Sequence, residues 1–396
     1  MSLAFGRGLR AIPGPSVIPD RVLAAMQRPS PNIYAGEIIE LTARIIADLR
    51  RVARAPSAAP VIYIGNGHAA WEAALANLLA PGETALTIAT GRFGVGWAEM
   101  AARMNIDVEL LDFGFRAPLD PARVEARLRA DREGRIRAVL TVQTDTASSV
   151  RNDIPALRAA IDAAGHPALL AVDCIASLGC DLYEMEAWGV DVTLSACQKG
   201  LMTPPGLAYL WAGERARAER RHVPSSYWDW ESRIDPEIYY MHFCGTPPTH
   251  LLYAQGEALK MILDEEGLDA VWTRHAALAG AVRAATEAWG CFSLNIADAA
   301  ARSQAVTTIR TAPGVADRLR AWCESAAGLT LGVPFVGPDE PRDAIFRIGH
   351  MGHLDPVMTL GTLATIEAGL LACGVPHEPG AIEAAARAIA LAAPQT

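Results

Sequence analysis

The sequence predicts an α/β fold of the fold-type I kind, in which a mainly parallel seven-stranded sheet is covered by helices and a smaller α+β domain follows. Three observations predict it. Seven short apolar runs alternate with helical patterns up to about residue 250, and beyond it the alternation stops. Such alternation is typical of a parallel sheet with helices on both faces. The length of 396 residues exceeds what one hydrophobic core usually organises, so we expect two domains.

The seven strand-like runs are rich in aliphatic residues, as expected for strands that are buried on both faces of a sheet. They are residues 61–64, 84–88, 108–113, 138–143, 168–172, 192–197 and 207–211. Helical patterns lie between them, for example at 71–79 and 120–129. The second of these begins with an aspartate cap, Asp120, and a proline in the first turn.

The chain after residue 250 predicts long helices and few strands. The helical patterns are 251–263, 268–288, 315–325, 355–373 and 380–392, and the strand-like runs are 305–310 and 344–348. We therefore expect a large domain at 15–260 and a small C-terminal domain at 261–396. The N-terminal segment 1–14 is expected to pack near the small domain.

Composition and charge exclude several classes of protein. Hydrophobic residues make up 51% of the chain and charged residues 20%, which is typical of a well-packed globular protein. The net charge of −9 argues against a nucleic-acid partner. The one basic cluster, residues 215–221, is interspersed with acidic side chains and indicates a solvated helix face. No apolar stretch reaches membrane-spanning length and the N-terminus lacks a signal-peptide core, so we expect a cytoplasmic protein without a membrane partner.

The cysteines indicate neither disulfides nor a metal site. There are seven of them, an odd number without paired spacing. Cys174, Cys180 and Cys197 fall in apolar segments that are expected to be buried. We therefore predict no metal.

Lys199 and Asp173 carry the clearest chemical signal. Lys199 stands between an apolar strand-like run and a Pro/Gly-rich turn, and Asp173 ends the strand-like run 168–172. A carboxylate at the carboxyl end of a buried parallel strand lies where α/β sheets place ligand chemistry. The pair fits pyridoxal phosphate, with the lysine amine forming a Schiff base and the carboxylate keeping the pyridine nitrogen protonated. Taken singly, a helix-capping aspartate and an incidental surface lysine remain alternatives.

A candidate phosphate loop precedes both residues in the chain. The segment Gly65-Asn66-Gly67-His68 joins a strand to a helix, and backbone N–H groups at such a helix start can bind phosphate. A Gly-Asn-Gly turn also serves as an ordinary tight turn. A nicotinamide-binding loop would place a third glycine where the chain has Ala70, so we favour the pyridoxal phosphate interpretation.

An ordered series of short motifs spans nearly the whole chain. They are residues 13–15 (PGP), 65–68 (GNGH), 71–74 (WEAA), 77–83 (NLLAPGE), 172–179 (VDCIASLG), 186–191 (EAWGVD), 198–199 (QK), 204–206 (PPG) and 347–352 (RIGHMG). In these motifs the chain resembles the class V, fold-type I pyridoxal phosphate aminotransferases, and within them the alanine/serine/aspartate–glyoxylate aminotransferase branch.

The resemblance implies a role for each matching residue in cofactor binding. Lys199 would be the Schiff-base lysine and proton carrier, and Asp173 the partner of the ring nitrogen. Ile175 would contact the ring from beneath and Phe93 would stack on it, while Thr146 lies in the stretch that approaches the ring hydroxyl. Gly67, His68 and Gln198 would hold the phosphate, with Thr246 supplied by the neighbouring subunit of a homodimer, and Gly65 and Asn66 of the same loop would also bind the cofactor.

Substrate binding is implied for three further residues. Arg347 would bind the α-carboxylate, for which a planar guanidinium is the natural fit; a surface ion pair is the ordinary alternative for an arginine. Gly14 and Tyr34 would line the substrate pocket. His350, beside this arginine motif, is given no catalytic role.

Several positions depart from the family pattern. The chain has Ile64 where many relatives carry a hydroxyl residue and Phe243 where they have a tyrosine. The usual Gly-Lys before the carboxylate-binding arginine is Asp343-Ala344, the usual Thr-Gly is Ser148-Ser149, and the His-Arg segment at the entrance reads Asn32-Ile33-Tyr34. These changes put donor specificity rather than cofactor chemistry in question, and Tyr34 is the leading candidate for reshaping the pocket.

The activity implied by the resemblance is ping-pong transfer of an amino group from serine, alanine or aspartate to glyoxylate. A pyruvate-dependent transaminase that acts on an unusual amine such as pyridoxamine is an alternative, as is a non-transaminase enzyme of the same fold. A cysteine desulfurase is disfavoured because the loop 328–342 contains no cysteine. A catalytically silent relative is disfavoured by the presence of both Lys199 and Asp173.

Overall fold

The computed structural model describes residues 2–337 and 340–393. The strands are β1 (Leu9–Ala11), β2 (Ala59–Gly65), β3 (Thr84–Ala89), β4 (Asp107–Asp112), β5 (Ile136–Val142), β6 (Thr144–Asp145), β7 (Val150–Arg151), β8 (Leu169–Asp173), β9 (Val192–Ala196), β10 (Gly206–Ala212), β11 (Ser293–Leu294), β12 (Val306–Arg310), β13 (Leu329–Leu331) and β14 (Ile345–Gly349). The α-helices are α1 (Asp20–Ala25), α2 (Glu37–Val52), α3 (Gly67–Leu78), α4 (Arg92–Arg103), α5 (Pro121–Ala130), α6 (Ile154–Ala163), α7 (Glu214–Ala218), α8 (Thr249–Lys260), α9 (Leu268–Ala288), α10 (Val315–Ala327), α11 (Pro356–Ala372) and α12 (Ala381–Ala392). Short 3-10 helices lie at Glu231–Arg233, Tyr239–Phe243, Ala299–Ala301 and Arg342–Ala344, and the π-helical segment Met261–Glu266 follows α8.

A seven-stranded sheet in the order β2-β10-β9-β8-β5-β3-β4 forms the centre of the molecule. The predicted α/β class and the seven strands are confirmed. Strands β3, β4, β5, β8 and β9 are parallel, whereas β10 runs antiparallel to both of its neighbours, β9 and β2. The reason is that the connection from β9 to β10 contains no crossover helix, and a parallel neighbour would need one.

Apolar residues cover both faces of this sheet, because successive strand residues point to opposite sides. Ile62 and Val172 belong to one core cluster, and their neighbours Val61 and Ala171 belong to another on the opposite face. The inner strands are therefore apolar along nearly their whole length, as the sequence pattern indicates, whereas the edge strand β4 carries three acidic residues and is not buried. With both faces packed, the carboxyl edge of the sheet is left for polar side chains.

A smaller antiparallel sheet, β11-β12-β14, lies in the C-terminal part of the chain. Its core includes Trp289 and Phe346, together with residues of α9, α10, α11 and α12. The N-terminal strand β1 pairs in parallel with β13, which attaches the start of the chain to this region. A helical run passes through residue 260, where the sequence places the domain boundary, so the exact boundary remains a prediction. Among the described residues, no helix combines the length and the apolar character that crossing a membrane requires.

Candidate active site

A cavity of about 300 Å³ opens at the carboxyl edge of the parallel strands. It lies beside Asp173, the last residue of β8, beside Val142, the last residue of β5, and beside the start of α3. The site residues expected from the sequence that line it are Gly14, Asn66, Gly67, His68, Phe93, Thr146, Asp173, Ile175, Gln198 and Lys199. Residues from six separate parts of the chain thus come together where open α/β sheets bind their ligands.

Lys199 projects into this cavity from the turn that follows β9. Its Nζ donates a hydrogen bond to the carbonyl oxygen of Pro13. The segment around it is fixed by Ser16, whose hydroxyl donates to the Lys199 carbonyl over 2.7 Å and whose N–H donates to the Gln198 carbonyl over 2.9 Å. Burial, helped by the nearby charge of Arg347, lowers the pKa of Lys199 to about 8. At pH 7 about a tenth of the amine is therefore in the neutral, nucleophilic form, far more than for an ordinary lysine.

Asp173 is held by one hydrogen bond on each carboxylate oxygen. The indole N–H of Trp71 donates to Oδ2 over 2.7 Å, and the backbone N–H of Ile175 donates to Oδ1 over 2.7 Å. Burial raises the pKa of Asp173 to about 7, against the opposite effect of these two donors. A buried carboxylate with free lone pairs is suited to bind a protonated ring nitrogen.

The first turn of α3 forms another wall of the cavity. Asn66 caps the helix, because its side chain accepts the N–H of His68 over 3.0 Å. Gly67 packs so closely that a β-carbon there would lie 2.4 Å from Cδ1 of Ile175. Gly65 lies just before the cavity wall, where a β-carbon would lie 2.6 Å from that of Ala69. The first turn of α3 thus lies at the cavity, and its glycines let the backbone come close to a ligand there. Such a helix start is suited to bind a phosphate.

Asp145, which the sequence interpretation did not single out, positions Phe93. Its Oδ2 accepts the N–H groups of Phe93 and Gly94 over 2.8 Å and 3.2 Å, and its Oδ1 accepts that of Ala147 over 2.9 Å. It is fully buried and caps the start of α4, where the local cap position, Gly91, has no side chain. The available signal was a carboxylate just after the apolar strand β5.

Arg347 is buried on β14, which removes the surface ion pair as an explanation. Its Nε donates to the Val333 carbonyl over 2.7 Å and its Nη1 to the Thr146 carbonyl over 2.8 Å. The guanidinium also lies 4.7 Å from the ring centroid of Phe335. Burial lowers the pKa of Arg347 to about 10. Nη2 forms no hydrogen bond within the described part of the chain, so this donor group is available to a ligand beside Thr146.

Four expected site residues are not among those that line the cavity of their own chain. Gly65 precedes the cavity wall, and Arg347 donates to the carbonyl of Thr146, which lines the cavity. The other two are Tyr34 and Thr246. Tyr34 is 76% exposed and its ring lies 6.4 Å from that of Tyr240. Thr246 is exposed as well. The resemblance implies that Thr246 acts from the neighbouring subunit of a homodimer. His350 is buried between the Gln304 carbonyl and the Thr307 hydroxyl, and burial lowers its pKa to about 3, so it stays neutral.

Comparisons with known proteins agree on one family. The model for "Aminotransferase class-V" matches residues 13–329. The serine–glyoxylate aminotransferase of Methylorubrum extorquens is 35% identical over 96% of this chain and 95% of its own. The L-aspartate–glyoxylate aminotransferase of Paracoccus denitrificans is 33% identical over 95% of this chain and 94% of its own. Among solved structures, the pyridoxamine–pyruvate aminotransferase of Mesorhizobium loti superposes with a TM-score of 0.89 at 28% identity, over 99% of this chain and 100% of that one.

Proposed function

The chain belongs to the class-V aminotransferases, and we propose that it moves an amino group from a small L-amino acid to glyoxylate with pyridoxal 5′-phosphate as cofactor. One observation carries the proposal. A single cavity contains a lysine with a lowered pKa, a buried aspartate and the capped start of a helix. The glyoxylate aminotransferases that the chain resembles over nearly its full length support the choice of acceptor.

The residues of the cavity fit this cofactor. Lys199 would hold its aldehyde carbon, Asp173 would pair with its ring nitrogen, and the loop 65–68 with Gln198 would hold its phosphate. Ile175 and Phe93, which both line the cavity, would supply apolar contacts for the ring. When bound, the cofactor serves as an electron sink for the carbanion that forms when the substrate loses its α-proton.

Lys199 is the residue that moves the proton. Its Nζ would accept the α-proton of the amino acid and hold it for return during the transfer. A base with a pKa of about 8 suits this task, because it is partly neutral when the reaction starts and holds a proton well afterwards. Asp173 would contribute in its ionised form, which favours the protonated state of the ring nitrogen.

Arg347 would bind the α-carboxylate of the substrate and so present its α-carbon to Lys199. Two of its N–H groups are fixed by backbone carbonyls, and Nη2 lies free of hydrogen bonds from the described residues. Because those two bonds keep the guanidinium from rotating, little side-chain freedom is lost when the substrate binds. The same carboxylate site would serve the oxoacid in the second half of a ping-pong cycle.

We also propose a homodimer in which Thr246 and Tyr34 complete the partner's cavity. Both side chains are exposed in the single chain, which supports such a role. The cytoplasmic location and the boundary of the two domains at residues 260 and 261 remain predictions from the sequence.

A half-reaction screen tests the proposed function. The visible absorbance of the purified protein is followed while L-serine, L-alanine or L-aspartate is added, and glyoxylate is then added to reverse the change. Conversion by at least one of these donors and reversal by glyoxylate is the expected result. Transamination that persists in a Lys199→Ala variant, or glyoxylate that fails to reverse any conversion, would contradict it.

A pyruvate-dependent transaminase is the second candidate, favoured by the TM-score of 0.89 with the pyridoxamine–pyruvate enzyme. The same screen separates the two candidates. Conversion by pyridoxamine, with pyruvate far better than glyoxylate in the reverse direction, would establish this alternative.

A further inference from the structure

The indole of Trp71 contacts three residues of the cavity that have different proposed roles. Its Nε1 donates to Asp173 over 2.7 Å, and its ring centroid lies 4.8 Å from that of His68 and 6.4 Å from that of Phe93. Trp71 is 2% exposed and belongs to the first half of α3. The one side chain thus touches the proposed phosphate site, the proposed stacking ring and the proposed partner of the ring nitrogen.

We propose that Trp71 is a positioning residue for the cofactor, which acts through Asp173 by holding its Oδ2 in place and keeping its carboxylate ionised. The proposal rests on the cofactor assigned under the proposed function, and it is independent of the amino donor. It follows from the geometry of the carboxylate, which is buried and has only two N–H donors, Trp71 and Ile175, among the described residues.

The two donors have different consequences for the protein. The N–H of Ile175 belongs to the backbone and is present whatever the side chain, whereas the indole N–H depends on tryptophan at position 71. Removing it would leave Oδ2 buried without a donor, and a carboxylate in that state takes up a proton more readily. Protonated Asp173 cannot bind a protonated ring nitrogen by charge. We therefore expect the affinity for the cofactor to fall first on the acid side of its pH profile.

Other charged groups also act on Asp173. Asp145 disfavours its ionised form, Lys199 favours it, and the thiol of Cys174 lies next to it in the chain. His68 lies against the indole. All of these groups are unchanged when only a tryptophan is replaced. Their effects on the pKa of Asp173 therefore cancel when two tryptophan variants are compared with each other.

Trp97 provides a matched control inside the same stack of rings. Its indole is fully buried on α4 and nearly parallel to that of Trp71, with an angle of 13° and a centroid distance of 6.0 Å. Its Nε1 is buried without a hydrogen-bond partner within the described residues. Trp71→Phe and Trp97→Phe therefore remove the same atoms from neighbouring positions, but only the first removes a hydrogen bond to Asp173.

The test measures the dissociation constant of pyridoxal 5′-phosphate for the full-length protein by equilibrium dialysis at a series of pH values. In Trp71→Phe we expect the acid limb of the affinity profile to move up by about one to two pH units, the size that a hydrogen bond to an ionised group supports. In Trp97→Phe the limb should stay where it is in the unmodified protein. A limb that does not move in Trp71→Phe, or that moves equally in both variants, overturns the proposal.

A second measurement covers the case in which Trp71→Phe does not fold. The unmodified protein is labelled with ¹⁵N-tryptophan, and the indole N–H signals are followed by NMR as the pH changes. The signal of Trp71 should move as Asp173 titrates, whereas the signal of Trp97 should not. The Trp97 signal is identified by its absence from the spectrum of Trp97→Phe. A Trp71 signal that is insensitive to pH also overturns the proposal. Absence of cofactor binding by the unmodified protein would instead defeat the proposed function.

Discussion

Gly14 lies directly against the side chain of Lys199. A β-carbon on Gly14 would stand 2.4 Å from Cδ and 2.5 Å from Nζ of the lysine, closer than any non-bonded contact allows. Gly14 also has a φ of +91°, a conformation that only glycine adopts without strain. The glycine is therefore required both by its backbone and by the space that the lysine occupies.

Gly14→Ala is expected to displace the Lys199 amine and to lower the rate of transamination by roughly tenfold or more, since small misplacements of a reacting group are costly. Gly82→Ala is the control, because Gly82 has a similar φ of +84° but open space around its β-position. Both variants should lose some stability in thermal unfolding. Equal activity of the two variants would show that the contact with Lys199 is unimportant.

Lys199→Met is expected to abolish transamination and to stabilise the cofactor-free protein at neutral pH. Burial lowers the pKa of Lys199 from its usual 10.5 to about 8, so the unfolded chain binds more protons between these values. Stability of the unmodified protein therefore rises with pH across that window, and below it the buried ammonium has its full destabilising effect. The methionine variant lacks this effect, so its advantage should shrink as the pH approaches 10.5.

Urea unfolding at neutral and at high pH measures this advantage. Lys260→Met removes an ammonium from a side chain that is 56% exposed and serves as the control. Its stability should differ little from that of the unmodified protein at either pH. A Lys199→Met protein that is less stable at neutral pH would contradict the expected sign.

The contrast between α5 and α4 shows how far the sequence predicts the fold. The helix at 120–129 and the helix at 355–373 were predictable because Asp120 and Asp355 cap them locally and a proline follows each cap. Helix α4 has no such signal, since its local cap position is Gly91. The carboxylate that caps it is Asp145, far away in sequence, and only the folded chain brings the two together.

The candidate site, like the helices, could be predicted from the sequence only in part. The order of a phosphate loop, Asp173 and Lys199 along the chain was enough to predict one shared edge of the sheet, because carboxyl ends of parallel strands meet there. The contact between Trp71 and Asp173 joins residues that are 102 positions apart, and the contact between Arg347 and Thr146 joins residues that are 201 apart. No periodicity or spacing encodes such contacts, so they required the structure.

Asp145→Ala is expected to lower both stability and cofactor affinity. It removes the acceptor of three N–H groups, at a cost of about 1–3 kcal/mol for each of the two that are buried, and it releases Phe93 from the cavity wall. Asp153→Ala is the matched control, because Asp153 caps α6 by accepting the N–H of Ala156 away from the cavity. That variant should lose about 1 kcal/mol of stability and keep its cofactor affinity. Urea unfolding and equilibrium dialysis measure the two quantities, and a cofactor affinity unchanged in Asp145→Ala would remove the positioning role from Asp145.

Phe335→Leu is expected to weaken binding of the amino acid substrate. The ring of Phe335 lies 4.7 Å from the guanidinium of Arg347 and meets Phe93 edge-on, with centroids 6.2 Å apart, although 43% of the residue is exposed. It therefore shields the proposed carboxylate site from water on one side and holds the guanidinium plane by a cation–π contact. The segment that carries it is attached to Arg347 through the Gly332 N–H, which donates to the Arg347 carbonyl over 2.8 Å.

Loss of that contact should raise KM for the amino donor roughly 3- to 30-fold with a smaller change in kcat, because the interaction serves binding of the carboxylate before and during the reaction. Phe113→Leu is the control, since it removes a similar contact, at 4.5 Å, with Arg123 rather than with Arg347. Steady-state kinetics with the best donor from the half-reaction screen measures both parameters. A KM that rises equally in the two variants, or in neither, would show that the ring of Phe335 takes no part in carboxylate binding by Arg347.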